Sequence, residues 1–225
     1  MLDKTTRIVF GIVGALIAAI LLVAGIVILQ QLSRPASPAP SVALFEPASE
    51  NSGITYINPP RPMPDFSLTD HNGDAIRLSD LRGKPTLIAW GFTNCPDICP
   101  LTLSDFRSMH QALDATNAHT VNFVFISVDG ARDTPEALSS LFRRLRVDDF
   151  MFGMTGSHEE VLKVGADYGV QAKLNEPNAM GFYTVDHTGG SFLLDAEGNW
   201  VARYAFAADR SAIVADIRRL LSLGT

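Results

Sequence analysis

Hydrophobic and polar positions divide this chain into three regimes. Over residues 8–29, 22 consecutive positions carry neither a charge nor a polar side chain. Over residues 30–64 the apolar pattern loses its period, and eight of the thirteen prolines fall at 35, 38, 40, 47, 59, 60, 62 and 64. Beyond residue 64, apolar runs of strand length alternate with stretches of helical spacing. Residues 66–68 and 76–78 flank a polar turn at 71–74, which predicts a hairpin. An apolar strand follows at 85–92. A helix is predicted over 100–116, with Leu103, Phe106, Met109 and Leu113 on one face and Pro100 in its first turn. A second buried strand spans 121–128. Thr134 caps a helix running to about residue 146. A short strand at 150–154 precedes a capping box, Ser157 to Glu160, that opens another helix. Residues 182–187 and 191–195 read as a hairpin around Thr188-Gly189-Gly190, with a further strand at 200–206. A final helix covers about 209–223, with Gly224 as its stop.

Strand–helix–strand–helix, then hairpin and helix, predicts an α/β domain with a central mixed sheet covered by helices. The first 22-residue run would span about 33 Å as a helix, enough for a hydrocarbon core of roughly 30 Å. A cleavable signal peptide would have a shorter apolar region and a small-residue exit, whereas this run leaves through Leu29-Gln30-Gln31-Leu32. With no cysteine close behind it, a lipoprotein anchor is excluded. Lys4 and Arg7 precede the run and only Arg34 follows closely, which places the N-terminus in the cytoplasm and the rest outside it. The expected organisation is a cytoplasmic N-terminus (1–7), a transmembrane anchor (8–29), a proline-rich tether (30–64) and a folded domain (65–225). The expected location is a bacterial inner membrane, with the domain in the periplasm.

Charge narrows the function. The formal net charge is −6. Only Asp3, Lys4 and Arg7 are charged before residue 34, so the remainder stays acidic. No cluster of Lys and Arg interrupts it, so nucleic-acid binding has no electrostatic footprint.

The chain has two cysteines, Cys95 and Cys99, in the segment Cys95-Pro96-Asp97-Ile98-Cys99-Pro100 between the first long strand and its helix. This is a thioredoxin-like arrangement. With Cys99 at the expected cap position, free backbone N–H groups and the positive helix end would favour thiolates. Spaced four apart, the sulfurs could share a metal ion or form a structural disulfide. His71, His110, His119 and His158 fall where solvated or capping histidines are common. His187 ends a strand beside Asp186 at the sheet edge facing the cysteine loop, so it is a candidate third ligand. Met154 and Met180 read as core residues.

Three blocks carry a family resemblance. Phe92-Thr93-Asn94-Cys95-Pro96-Asp97-Ile98-Cys99-Pro100 closely resembles the signature of the Sco/SenC family. Ser127-Val128-Asp129 with Arg132-Asp133-Thr134-Pro135-Glu136 is similar to its second block, and Tyr183-Thr184-Val185-Asp186-His187-Thr188 to its third. Gly130-Ala131 and Thr188 depart from the usual pattern, and Gly130 is expected to loosen its loop.

The resemblance implies a membrane-tethered protein with a thioredoxin-like fold. It would bind one copper, as Cu(I) or Cu(II), through Cys95, Cys99 and His187. Two thiolates and an imidazole make a soft, low-coordinate site that suits this ion. It implies assembly of the binuclear copper centre of cytochrome c oxidase subunit II, by copper delivery, by reduction of that subunit's cysteines, or both. A periplasmic copper donor or thiol reductant would be a further partner. Asp186 would orient His187 or serve a turn, and Asp97 would tune the thiols or satisfy its own turn. Asp129 is a weaker candidate of the same kind.

Two enzyme classes compete with a chaperone. A disulfide reductase is disfavoured by the three-residue spacing and by the lack of proline in 183–192, and Ile88 and Phe92 stand where a peroxiredoxin motif needs Pro and Thr.

Overall fold

The structure, a computed structural model, describes residues 52–113 and 120–223. The expected anchor, the tether up to residue 51, the end of the first helix, His119 and the Gly224 stop lie outside the described residues. Among the described residues no helix is long and apolar enough to cross a membrane.

Among the described residues ten strands form two sheets. In chain order they are β1 (Ile54–Pro62), β2 (Ser67–Asp70), β3 (Ala75–Arg77), β4 (Thr86–Gly91), β5 (Asn122–Ser127), β6 (Met151–Thr155), β7 (Ala172–Leu174), β8 (Val185–His187), β9 (Ser191–Leu194) and β10 (Asn199–Tyr204). The helices are α1 (Ile98–Ala112), α2 (Pro135–Leu145), α3 (His158–Asp167) and α4 (Arg210–Leu223), with a 3-10 turn at Leu78–Leu81. The main sheet runs β1-β10-β9-β4-β5-β6-β2-β3, and β7-β8 forms a separate ribbon. Strands β4, β5 and β6 are parallel, while β9 pairs antiparallel with both β4 and β10. This is the expected mixed sheet.

The central strands β4, β5 and β9 are buried on both faces, with Leu87, Ile88, Phe123, Phe125 and Phe192 among the residues with no exposed surface. That is why they read as continuous apolar runs rather than alternating ones. Local chemistry sets the helix starts. Thr134 Oγ1 accepts from the Ala137 N–H at 3.3 Å, and Pro135 needs no partner there. Ser157 and Glu160 cap one another through two reciprocal bonds of 3.3 and 2.8 Å.

Three expectations are corrected. The proline-rich tether does not extend to residue 64: residues 54–62 form β1, paired with β10. The prolines are tolerated because β1 lies at the edge of the sheet and its register shifts between Tyr56 and Arg61, around Pro59 and Pro60. The strand is fastened by Asp216 of α4, whose carboxylate accepts from Tyr56 Oη at 3.1 Å and from the buried Tyr204 Oη at 2.8 Å. The hairpin of 182–187 with 191–195 does not form either. β8 pairs with β7, whereas β9 pairs with β4 and β10. Between β8 and β9, Gly190 at φ +100 passes so close to the main sheet that a Cβ would lie 2.2 Å from the Tyr204 carbonyl oxygen. Finally, the first helix starts at Ile98 rather than at Pro100, with Asp97 in the cap position.

Candidate metal centre

The cysteine segment is the crossover from β4 into α1. β4 ends at Gly91, and the Phe92 carbonyl accepts from the Cys95 N–H at 3.2 Å, which turns the chain back toward the helix. Cys99 therefore lies inside the first turn of α1, and its N–H points at Cys95 Sγ at 3.5 Å. Both thiols are free. Cys95 is half-buried. Cys99 is buried at 2 % exposure, and its Sγ sits so close to Gly91 that a Cβ there would approach it to 2.7 Å. The flanking prolines do not keep both thiols in an exposed turn.

Burial also reverses the expected charge state of one sulfur. Desolvation pushes the Cys99 thiol well above its ordinary value, with the neighbouring Cys95 and Asp133 adding to the rise and a Phe92 backbone hydrogen bond opposing it. A metal ion binding Cys99 must therefore displace a proton. We expect metal loading at neutral pH to release at least one proton, and apparent affinity to fall about tenfold per pH unit as pH drops below the Cys99 pKa. Titration calorimetry in buffers of different ionisation enthalpy reads this proton directly. A pH-independent affinity between 6 and 8 would show that Cys99 is not a ligand.

His187 ends β8 half-buried. Its ring meets the Phe92 ring edge-on, with centroids 6.0 Å apart, so the residue that opens the cysteine segment also packs on the imidazole. Nδ1 lies 3.1 Å from the Thr188 carbonyl oxygen. A carbonyl can only accept, so this contact places the ring proton on Nδ1 and leaves the Nε2 lone pair available. Burial holds the imidazole below its ordinary value, with the Thr188 contact and the Asp186 charge pulling the other way. A neutral ring with a free Nε2 is the form that binds metals.

The three residues are neighbours through Phe92 but do not form a closed cage. Among the described residues no three His, Cys, Asp or Glu side chains converge closely enough to hold a metal ion as they stand. The carboxylates singled out in the sequence take other partners. Asp186 is exposed and accepts from Asn175 Nδ2 at 3.0 Å, so the Thr188 carbonyl, not Asp186, fixes the His187 tautomer. The exposed Asp97 side chain forms no cap hydrogen bond. Asp129 is buried, pairs with Arg132 and accepts from Tyr183 Oη at 2.9 Å.

The other histidines serve the fold. His71 Nδ1 accepts from the Gly153 N–H, His110 stacks on Phe150 and His158 begins α3. Met154 is core, whereas Met180, at 88 % exposure, is not. Residues that the sequence placed in family blocks but gave no role now have one. Thr93 is held by Asp133, which accepts from both its N–H and its hydroxyl. Arg132 donates to the Tyr183 carbonyl at 2.8 Å.

A family model described as SCO1/SenC matches residues 55–222. The fold resembles that of ScoI from Bradyrhizobium japonicum, solved with copper bound: TM-score 0.64 and 37 % identity over 71 % of this chain and 99 % of that one. It also resembles yeast Sco1 with copper bound, at TM-score 0.63 and 30 % identity over 72 % of this chain and 90 % of that one. A mitochondrial SCO2 homologue from Bos taurus is 35 % identical over 159 residues, 69 % of this chain and 58 % of its own length.

Proposed function

The chain belongs to the SCO1/SenC family, and from that premise we propose that it is a copper chaperone for the binuclear copper centre of cytochrome c oxidase subunit II. Copper is its cargo, and Cys95, Cys99 and His187 are the donors. The observation that carries this reading is the donor set: two free thiols joined through the Cys99 N–H on Cys95 Sγ and, across the Phe92 ring, a neutral imidazole with Nε2 available. Soft sulfurs select Cu(I), and the added nitrogen makes Cu(II) tolerable. Zinc would take the same donors but usually asks for a fourth. An open, three-donor arrangement suits an ion that must be passed on. The anchor expected at 8–29 would hold the domain at the periplasmic face of a bacterial inner membrane.

Reduction of the target's cysteines is the second reading, and the half-exposure of Cys95 favours it. The buried, protonated Cys99 is a poor nucleophile, so attack on a partner disulfide would have to begin at Cys95. Oxidase assembly in cells separates the two. Under copper delivery, His187→Ala and Cys95→Ser are both expected to be defective, with partial rescue by added copper. Assembly that tolerates His187→Ala but not Cys95→Ser would assign thiol reduction instead.

A further inference from the structure

The loop joining β5 to α2 contains no donor, yet it touches both halves of the site. Arg132 and Asp133 are adjacent in the chain and engage opposite sides. Asp133, with no exposed surface, accepts from the Thr93 N–H at 2.8 Å, from Thr93 Oγ1 and from Ser127 Oγ at 2.6 Å. It thereby fixes the start of the cysteine segment two residues before Cys95. Arg132 engages the segment that leads into the strand carrying His187. Its guanidinium pairs with Asp129, donates to the Tyr183 carbonyl at 2.8 Å and lies 3.5 Å over the Tyr183 ring. Tyr183 Oη closes the circuit by donating to Asp129 at 2.9 Å. The same guanidinium stands 5.9 Å from the rings of Phe92 and Phe182, and Phe92 is the ring on which His187 packs.

We propose that this loop is a two-sided bracket in which Arg132 is the positioning residue for His187, and so sets how well the site holds Cu(II) relative to Cu(I). The proposal rests on the reading of Cys95, Cys99 and His187 as copper donors. Its physical basis is that the His187 strand belongs to the small β7-β8 ribbon, not to the main sheet. Main-sheet hydrogen bonds therefore do not fix the distance between β8 and the cysteines, and the Arg132–Asp129–Tyr183 circuit spans that gap. Cu(I) is satisfied by two soft sulfurs, whereas Cu(II) favours nitrogen and a fuller shell. Loosening the imidazole should therefore affect Cu(II) first.

The test uses the full-length chain in detergent, loaded with Cu(I) or Cu(II) alone. Arg132→Gln removes the charge and the stacking fork. It is expected to lower Cu(II) affinity 10- to 100-fold, the range seen when a group that orients a metal-binding histidine is lost. Nitrogen hyperfine coupling in the Cu(II) resonance spectrum is expected to weaken, with Cu(I) affinity within about threefold of the parent. Near-UV circular dichroism and a thermal melt establish that the variant is folded. Tyr183→Phe, which keeps the ring under the guanidinium and removes one hydroxyl, is the milder variant should Arg132→Gln be unstable. It is expected to move Cu(II) affinity several-fold in the same direction. Unchanged Cu(II) affinity and nitrogen coupling in a folded Arg132→Gln protein, or an equal loss for both oxidation states, would overturn the bracket. His187→Ala measured alongside separates the two failures. If it too leaves the nitrogen coupling intact, the donor assignment is what has failed.

Discussion

Replacing His187 with alanine is expected to lower Cu(II) affinity by more than 100-fold, about 3 kcal/mol, and Cu(I) affinity by much less. Losing a group that only orients a ligand costs 10- to 100-fold, so loss of the ligand itself should exceed that range. The asymmetry follows from the donors. Cys95 and Cys99 face each other across the turn that enters α1, with the Cys99 N–H on Cys95 Sγ at 3.5 Å, and they survive the substitution as a soft pair. The imidazole is the one nitrogen donor in the proposed set. Competition titrations with chelators of known affinity for each oxidation state measure both quantities. Cu(II) binding that survives His187→Ala at parent strength would remove the imidazole from the site.

The second large effect concerns stability. Gly130 departs from the family signature that the sequence resembles, and a glycine there suggests a looser loop. The packing says the opposite. A Cβ on Gly130 would lie 1.7 Å from the Gly156 carbonyl oxygen and 2.9 Å from its carbon. The obstacle is backbone, which cannot rotate away as a side chain would. Gly130→Ala is therefore expected to destabilise the domain by about 3 kcal/mol, the upper part of the range for overpacked sites. Urea unfolding of the apo protein would show it as a lower midpoint at unchanged slope. A change below about 0.5 kcal/mol would mean that the loop before α3 yields freely. Because Gly130 belongs to the same loop as Arg132 and Asp133, the variant should also weaken the grip on Thr93.

What the sequence made legible was whatever is encoded locally. Thr134-Pro135 and Ser157 to Glu160 carry their own caps, so both helix starts are where the residues put them. Strands β4 and β5 are apolar throughout because both faces are covered, and such runs need no partner to be recognised. The two sulfurs and His187 stood out because two contiguous blocks, 92–100 and 183–188, carry them, and the fold brings these blocks together where Phe92 meets His187. The misreadings are all non-local. Prolines 59, 60 and 62 have the composition of a tether, and only the pairing of β1 with β10 reveals an edge strand. β8 was assigned to β9, its neighbour in sequence, whereas its partner is the three-residue β7, too short to carry a period. Cys99 was expected as an activated thiol at a helix end. Its position over Gly91 places desolvation ahead of the helix field, and no spacing rule reports which neighbour covers a side chain. Arg132 was visible as a letter in a motif, but its role depends on Tyr183, 51 positions away.

The proline-bearing edge has a consequence for how copies of this protein behave toward each other. A nine-residue strand at the rim of a sheet ordinarily exposes a row of amide donors and carbonyls on which another chain can build. Three of the nine residues of β1 are prolines and have no donor to offer, and the shift in its register breaks the row again. At the opposite rim β3 is only three residues long. Neither rim gives a foreign strand a continuous template, so the sheet resists edge-to-edge stacking and amyloid-like growth even where many copies are crowded together.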